Sequence, residues 1–337
     1  MTPIRDSARL LDQAIVYDAQ GKPAEAIAAM EKAVATGDPV ARLQAALWQL
    51  YGSNYPRDET AAFAAVNALA DEGHHHALRL ASVMLAFGLG CPRNWSVALA
   101  RMRQAADDGD DIARTDLDVL GDDDPAHWKA PRAELLLPRP RVEVYRNLLP
   151  EHWCQHVIRT ALPLLSQAHV KDARTGQRTP DPMRTNTVAL LELWDFGLVH
   201  YAITARLAVA CKCAMEKLEP PKILRYQPGE TYRDHVDFID PDVPAFTREL
   251  REKGQRTRTP LVYLNDGYSG GETAFVRSGT TFRGTIGDLL VLRNTRAGGK
   301  PDRESLHAGL PPTSGEKWVW STRVRTRPQL ARLWRDF

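Results

Sequence analysis

The chain has no long apolar run: nothing in it approaches the roughly 18 residues that a membrane-spanning helix needs, so no membrane is expected as a partner. Its start, MTPIRDSARLLDQ, lacks the basic opening and apolar core of a secretory signal. A one-sided charge is missing as well. The 44 Lys and Arg residues against 42 Asp and Glu leave a formal charge of +2, and no nucleic acid is expected as a partner either. Cysteine is scarce, and Cys91, Cys154, Cys211 and Cys213 form neither a disulfide framework nor a paired zinc motif. These absences suit a reducing cytoplasm. Cys211 and Cys213 lie in an Ala-rich helical stretch and read as buried small residues. What is present is 337 residues with 43% hydrophobic content, enough for two ordinary globular domains.

The first third repeats itself. Gly37, Gly73 and Gly109 are spaced by 36 residues, and Ala41, Ala77 and Ala113 follow each of them four positions later. The segments AIAAM, AFAAV and ALARM align in the same register, with Ala26, Ala62 and Ala98 in one phase and Ile27, Phe63 and Leu99 in another. Small residues at helical spacing let two helices approach closely, and the glycine supplies a left-handed residue between them. Each unit is therefore a helix pair, and a pair buries its apolar face only by stacking on its neighbours. Over residues 5 to 120 the pattern resembles the Sel-one-like branch of the tetratricopeptide superfamily. The run His74, His75 and His76 falls where the other repeats have Asp38-Pro39-Val40 and Asp110-Asp111-Ile112, and reads as a solvated connector rather than a metal site.

After GDDDP the Pro-rich segment APRAELLLPRPRV reads as a linker and opening strand. From Ile223 onward the spacing changes to short β-rich runs, among them ILRYQ, TYRDHVDF, TPLVYLND, ETAFV, GDLLVLRN, ESLHAG and KWVWSTRVR. Many short strands at close intervals predict a jelly roll. Residues 153 to 165 and 198 to 218 look like helices packed on its outside.

His235 and Asp237 form an H-x-D pair, and residues two apart on an extended strand share a face. His307 stands 70 residues beyond Asp237, and a jelly roll brings such distant strands face to face. Two histidines and one carboxylate on one face of an iron ion leave neighbouring positions open, which an oxygen-activating site requires and a closed structural site lacks. Lys317, ten residues after His307 on the next strand, is a cation suited to the far carboxylate of a co-substrate.

The segments YQPGETYRDHVDF, GQRTRTPLVYLNDGYSGGETAF, GDLLVLRN and DRESLHAGLPPTSGEKWVWSTRVR, in that order, resemble the prolyl 4-hydroxylase family of Fe(II)- and 2-oxoglutarate-dependent dioxygenases. PRVEVYRNLLPEHWCQHVI is similar to that family's opening strand and helix. The resemblance implies a fold of α+β class, with an N-terminal α-helical repeat array followed by a double-stranded β-helix (jelly-roll) oxygenase domain with flanking helices. It divides the chain into repeats at 1–125, a linker at 126–140 and the oxygenase at 141–337.

It also implies His235, Asp237 and His307 as metal ligands and catalytic residues, and Lys317 as the anchor for 2-oxoglutarate. Tyr226 and Tyr263 would line the co-substrate pocket, Thr322 would face it, and Arg184 would lie near the substrate groove. Fe(II) is the cofactor, 2-oxoglutarate and O2 the co-substrates, and ascorbate a reductant. Gly270 and Gly271 read as a tight turn without catalytic duty. Pro312 departs from the family's usual valine, and the charged stretch 245–259 shapes the substrate entrance. The expected reaction is hydroxylation of a prolyl or other side chain in a peptide or protein. Alternatives are a free amino acid or small metabolite as substrate, or a non-catalytic peptide-binding adaptor. The repeats would bind a protein partner or mediate dimerisation.

Overall fold

The computed structural model describes residues 3–125, 127–171, 178–180 and 183–329; the expected end of the second domain at residue 337 lies outside them. The chain divides into two compact units. One holds the chain up to Gly121 together with Phe196–Tyr201, and the other holds Asp122–Asp195 and the chain from Ala202 onward.

The first unit contains helices α1 (Pro3–Ala19), α2 (Pro23–Ala35), α3 (Pro39–Tyr51), α4 (Glu59–Asp71), α5 (His75–Phe87), α6 (Trp95–Asp107) and α7 (Asp111–Leu120). Helices α2, α4 and α6 are each 13 residues long and start 36 residues apart. Gly37, Gly73 and Gly109 take φ of 81°, 85° and 96° between the paired helices, a conformation other residues enter at a cost. The residue after each glycine caps the next helix: Asp38 accepts from Val40 N, His74 from Ala77 N and Asp110 from Ala113 N.

The three histidines are therefore not a free connector. His74 is an N-cap, and His75 and His76 open α5. Among the described residues they belong to no metal-ligating cluster. The repeated alanines explain themselves by burial, since Ala26, Ala62, Ala98, Ala41, Ala77 and Ala113 all have 0% exposure. A larger side chain at any of them would force the helices apart. Phe196–Tyr201 joins this unit through Asp116, whose carboxylate accepts the backbone N–H of Leu198 at 2.6 Å and of Val199 at 3.3 Å. Tyr201 stacks on Trp95 with ring centroids 5.3 Å apart.

The second unit is built on two antiparallel sheets. The larger runs Glu134–Leu137, Val142–Tyr145, Leu289–Arg293, Arg256–Tyr263, Lys317–Ser321, Lys222–Tyr226, Thr187–Leu190 and Leu165–Gln167, with Val324–Arg325 branching from Arg256–Tyr263. It stays open and does not close into a barrel. The smaller runs Thr280–Phe282, Thr273–Phe275, His307–Gly309 and Tyr232–His235. Their inner faces share one core: Val142, Leu290 and Val319 of the large sheet meet Phe275 and Phe282 of the small one. In the middle of the large sheet LLVLR and KWVWS are buried almost throughout, while Arg256–Tyr263 between them is only partly buried over its polar first half.

The helix expected at residues 153–165 runs Glu151–Ala161 and continues as a 3-10 turn at Leu162–Leu164. The one expected at 198–218 stops at Ala210. There Lys212 takes φ of 50°, and the N–H of Cys213 reaches back to the carbonyl of Ala208, a helix stop usually made by glycine. The stretch 245–259 contains a short helix, Thr247–Lys253, before its strand begins. No helix among the described residues is long and apolar enough to cross a membrane.

Candidate active site

Register, not sequence distance, brings the histidines together. Strand His307–Gly309 pairs antiparallel with Tyr232–His235 so that His307 and His235 are direct partners, with ring centroids 4.2 Å apart. Asp237 follows two residues after His235, on the same side of the chain. One ligand atom from each of the three lies within 4.8 Å of the others.

The backbone sets the imidazole tautomers. His235 Nδ1 lies 2.7 Å from the carbonyl of Arg233, and His307 Nδ1 lies 2.9 Å from the carbonyl of Ser305. A carbonyl only accepts, so each Nδ1 carries the proton and each Nε2 keeps its lone pair for a metal. Burial pushes His235 down to about 3 and pushes His307 below its ordinary value, so both rings are neutral at neutral pH. Burial alone would raise the Asp237 carboxyl, but Arg323, the two histidines and the Thr259 hydroxyl hold it well below the usual carboxylate range. Neutral imidazoles beside an ionised carboxylate are the protonation states that metal ligation needs. This donor set, two nitrogens and one oxygen, fits Fe(II).

Beside the triad is a pocket with apolar walls from Leu224, Leu261 and Val319, and Tyr226 and Lys317 also line it. Lys317 is 2% exposed, and its ammonium donates to the carbonyl of Gly271 at 2.7 Å. The rings of Tyr226 and Tyr263 lie 5.3 Å and 5.5 Å from Nζ. The turn at Gly270 and Gly271, with φ of 69° and 68°, thus supplies the lysine's acceptor. The Tyr263 hydroxyl is bonded to that of Thr273 at 2.8 Å, and Thr273 lines the pocket.

Three expected residues sit differently. Tyr263 is not among the residues that line the pocket and meets it through its bond to Thr273. Thr322 does not face the pocket: its hydroxyl donates to the carbonyl of Glu219 at 2.6 Å. Lys317, Val319, Ser321 and Arg323 are the residues of this segment that line the pocket, and alternation turns Thr322 to the opposite face. Arg184 stands one layer back, with its guanidinium 5.3 Å from the ring centroid of Tyr232. Tyr232 in turn stacks on His235 at 3.6 Å.

Sequence reasoning missed Tyr232, Thr259, Asn294 and the contact of Arg323. Thr259 Oγ1 donates to Asp237 Oδ2 at 2.7 Å, Asn294 Nδ2 donates to Thr259 Oγ1 at 2.9 Å, and Arg323 Nη2 donates to Asp237 Oδ1 at 2.7 Å. Thr259, Asn294 and Arg323 come from other strands or their ends, so no local motif marks them, whereas Tyr232 lies three residues before His235 on the same strand.

Comparison with known proteins assigns the class. Residues 221–324 match the 2OG-Fe(II) oxygenase superfamily, whose members use Fe(II), 2-oxoglutarate and O2, with ascorbate as the typical reductant. Within that class the chain belongs to the prolyl 4-hydroxylase family. Prolyl 4-hydroxylase 1 of Arabidopsis thaliana is 30% identical over 201 residues, covering 56% of this chain and 69% of the relative. Among solved structures, the viral collagen prolyl hydroxylase from Paramecium Bursaria Chlorella virus-1 in its 2OG complex is 23% identical. It aligns with a TM-score of 0.41 over 55% of this chain and 96% of its own. A Sel1 repeat protein from Oxalobacter formigenes is 21% identical, with a TM-score of 0.32 over 35% of this chain and 49% of its own.

Proposed function

We propose that this dioxygenase hydroxylates a prolyl side chain within a peptide or protein, with His235, Asp237 and His307 holding Fe(II) and Lys317 anchoring the far carboxylate of 2-oxoglutarate. The observation that carries the metal assignment is the pair of register-matched histidines whose Nδ1 atoms are tied to backbone carbonyls, with the Asp237 carboxylate beside them. The relatives' name supports the prolyl substrate. When bound, Fe(II) supplies O2 activation coupled to conversion of 2-oxoglutarate into succinate and CO2.

The chain's own residues bind, orient and exclude water. Leu224, Leu261 and Val319 keep the pocket apolar, which strengthens the pairing of Lys317 with a carboxylate. The rings of Tyr226 and Tyr263 lie against the Lys317 ammonium. Tyr232, stacked on His235, fixes that ring's tilt, and Arg184 supports Tyr232 at the edge a substrate would approach. The repeat array is proposed to engage a polypeptide partner or a second copy of the chain, and the four free cysteines suit action in the cytoplasm.

The test of the substrate is a screen of proline-containing peptides and free proline with full-length protein, Fe(II) and 2-oxoglutarate, read by the mass gain of one oxygen atom. Modification of peptides and not of free proline is the expected result; hydroxylation of the free amino acid alone would move the assignment to a small-molecule substrate.

Lys317 also gives a pH dependence. Burial pushes its ammonium down to about 8, with Glu272 opposing, and only the charged form pairs with a carboxylate. Below about pH 8 the lysine is already charged and affinity for 2-oxoglutarate stays flat. Above that, binding must take up a proton, so affinity weakens by up to about tenfold per pH unit. Calorimetric titrations near neutrality and at mildly alkaline pH check this, and equal affinities at both would assign the carboxylate to another cation.

A further inference from the structure

We infer that Arg323 is a positioning residue, holding the Asp237 carboxylate so that a bound divalent metal receives one of its oxygens and not both; this rests on the ligand set proposed above. The two oxygens are committed differently. Oδ2 lies 3.6 Å from Nε2 of His307 and accepts the Thr259 hydroxyl at 2.7 Å. It is the oxygen turned toward His307. Oδ1 accepts Nη2 of Arg323 at 2.7 Å.

The guanidinium is itself fixed, because Nη1 donates to Ser321 Oγ at 2.6 Å at the end of a strand inside the large sheet. On the other side, Asn294 orients Thr259, and both residues are 0% exposed. A charge-assisted bond is roughly twice as strong as a neutral one, and Asp237 is only 5% exposed. Swinging Oδ1 to the metal would break that ion pair where water cannot replace it. The consequence concerns the co-substrate. Two imidazoles and a single carboxylate oxygen leave room for a chelating 2-oxo acid and O2, whereas a second carboxylate oxygen would take one of those positions.

The test uses full-length protein and Mn(II) in place of Fe(II). Mn(II) is titrated into wild type, Arg323→Met, Arg323→Lys and Asp237→Ala, and water-proton relaxation reports the exchangeable waters on the bound ion. 2-Oxoglutarate is then titrated into each loaded protein. Arg323→Met should bind Mn(II) at least as tightly as wild type, because a neighbouring cation is gone and a second oxygen is free. Its bound ion should lose one exchangeable water, and its affinity for 2-oxoglutarate should fall about tenfold. Arg323→Lys, which keeps a charged donor, should recover most of both losses.

Unchanged water relaxation in Arg323→Met overturns the inference even if 2-oxoglutarate binding falls, because Arg323 would then be touching the co-substrate itself. Loss of Mn(II) binding in both Arg323 variants also overturns it, since the residue would be needed to form the site. Asp237→Ala separates the two levels. If it binds Mn(II) as wild type does, the ligand set is wrong; if it loses the ion while Arg323→Met behaves as wild type, only the role of Arg323 fails.

Discussion

Replacing Asp237 with alanine reduces hydroxylation to background. The substitution removes the one anionic donor of the triad, leaving His235 and His307 to hold a divalent ion through two neutral nitrogens. It also strips Arg323 and Thr259 of their shared acceptor. Leaving one partner of a buried ion pair alone costs on the order of 3–5 kcal/mol, so the alanine protein should melt earlier as well. Asp237→Asn separates the effects, because it keeps the shape and an acceptor for Thr259 while deleting the charge. The expected result is a smaller loss of melting temperature for the asparagine variant than for alanine, since Arg323 still loses its anionic partner, together with loss of turnover. Product formation at the wild-type rate in either variant would remove Asp237 from the ligand set.

Replacing Lys317 with methionine lowers the affinity for 2-oxoglutarate by about a hundredfold or more. Methionine keeps most of the apolar stem but offers no charge to the distal carboxylate, which is then desolvated without a partner. The loss of about 3–5 kcal/mol expected for half of a buried pair, at roughly 1.4 kcal/mol per tenfold, exceeds that hundredfold mark. Metal binding should change little, because the ammonium's polar partner is Gly271 and not a member of the triad. Titration of metal and of 2-oxoglutarate in turn therefore tells an anchor from general damage. Equal affinity in Lys317→Met and wild type would place the anchor elsewhere.

The helix pairs could be read from the chain because everything that makes them is local. A glycine at positive φ, a capping residue after it and an alanine three positions further on recur with a fixed period, so each repeat carries its own evidence. His235 and Asp237 were visible for the same reason, since two positions on one strand share a face. His307 and Lys317 needed the family resemblance as well, because pairing between strands some 70 residues apart leaves no trace in spacing.

The residues around the triad were hidden by that same non-locality. Thr259 and Arg323 meet Asp237 from 22 and 86 residues away in the sequence, and nothing near either one announces a carboxylate partner. Arg323 and Arg325 stand two apart on one segment and look interchangeable as cations, yet Arg325 is buried against Glu219 and Glu249. Thr322 is a local case by contrast. It lies an odd number of residues from Lys317, and strand alternation already turns it away. The early end of the helix at Ala210 carries no mark in the sequence, because its left-handed stop is Lys212 where glycine is the usual signal.

The most direct test is conversion of 2-oxoglutarate by the full-length wild-type protein in air, with succinate quantified in the presence and absence of Fe(II). The account predicts succinate formation that requires Fe(II) and is lost in Asp237→Ala. Recovery of 2-oxoglutarate unchanged, with Fe(II), O2 and ascorbate all supplied and a proline-containing peptide present, would contradict it.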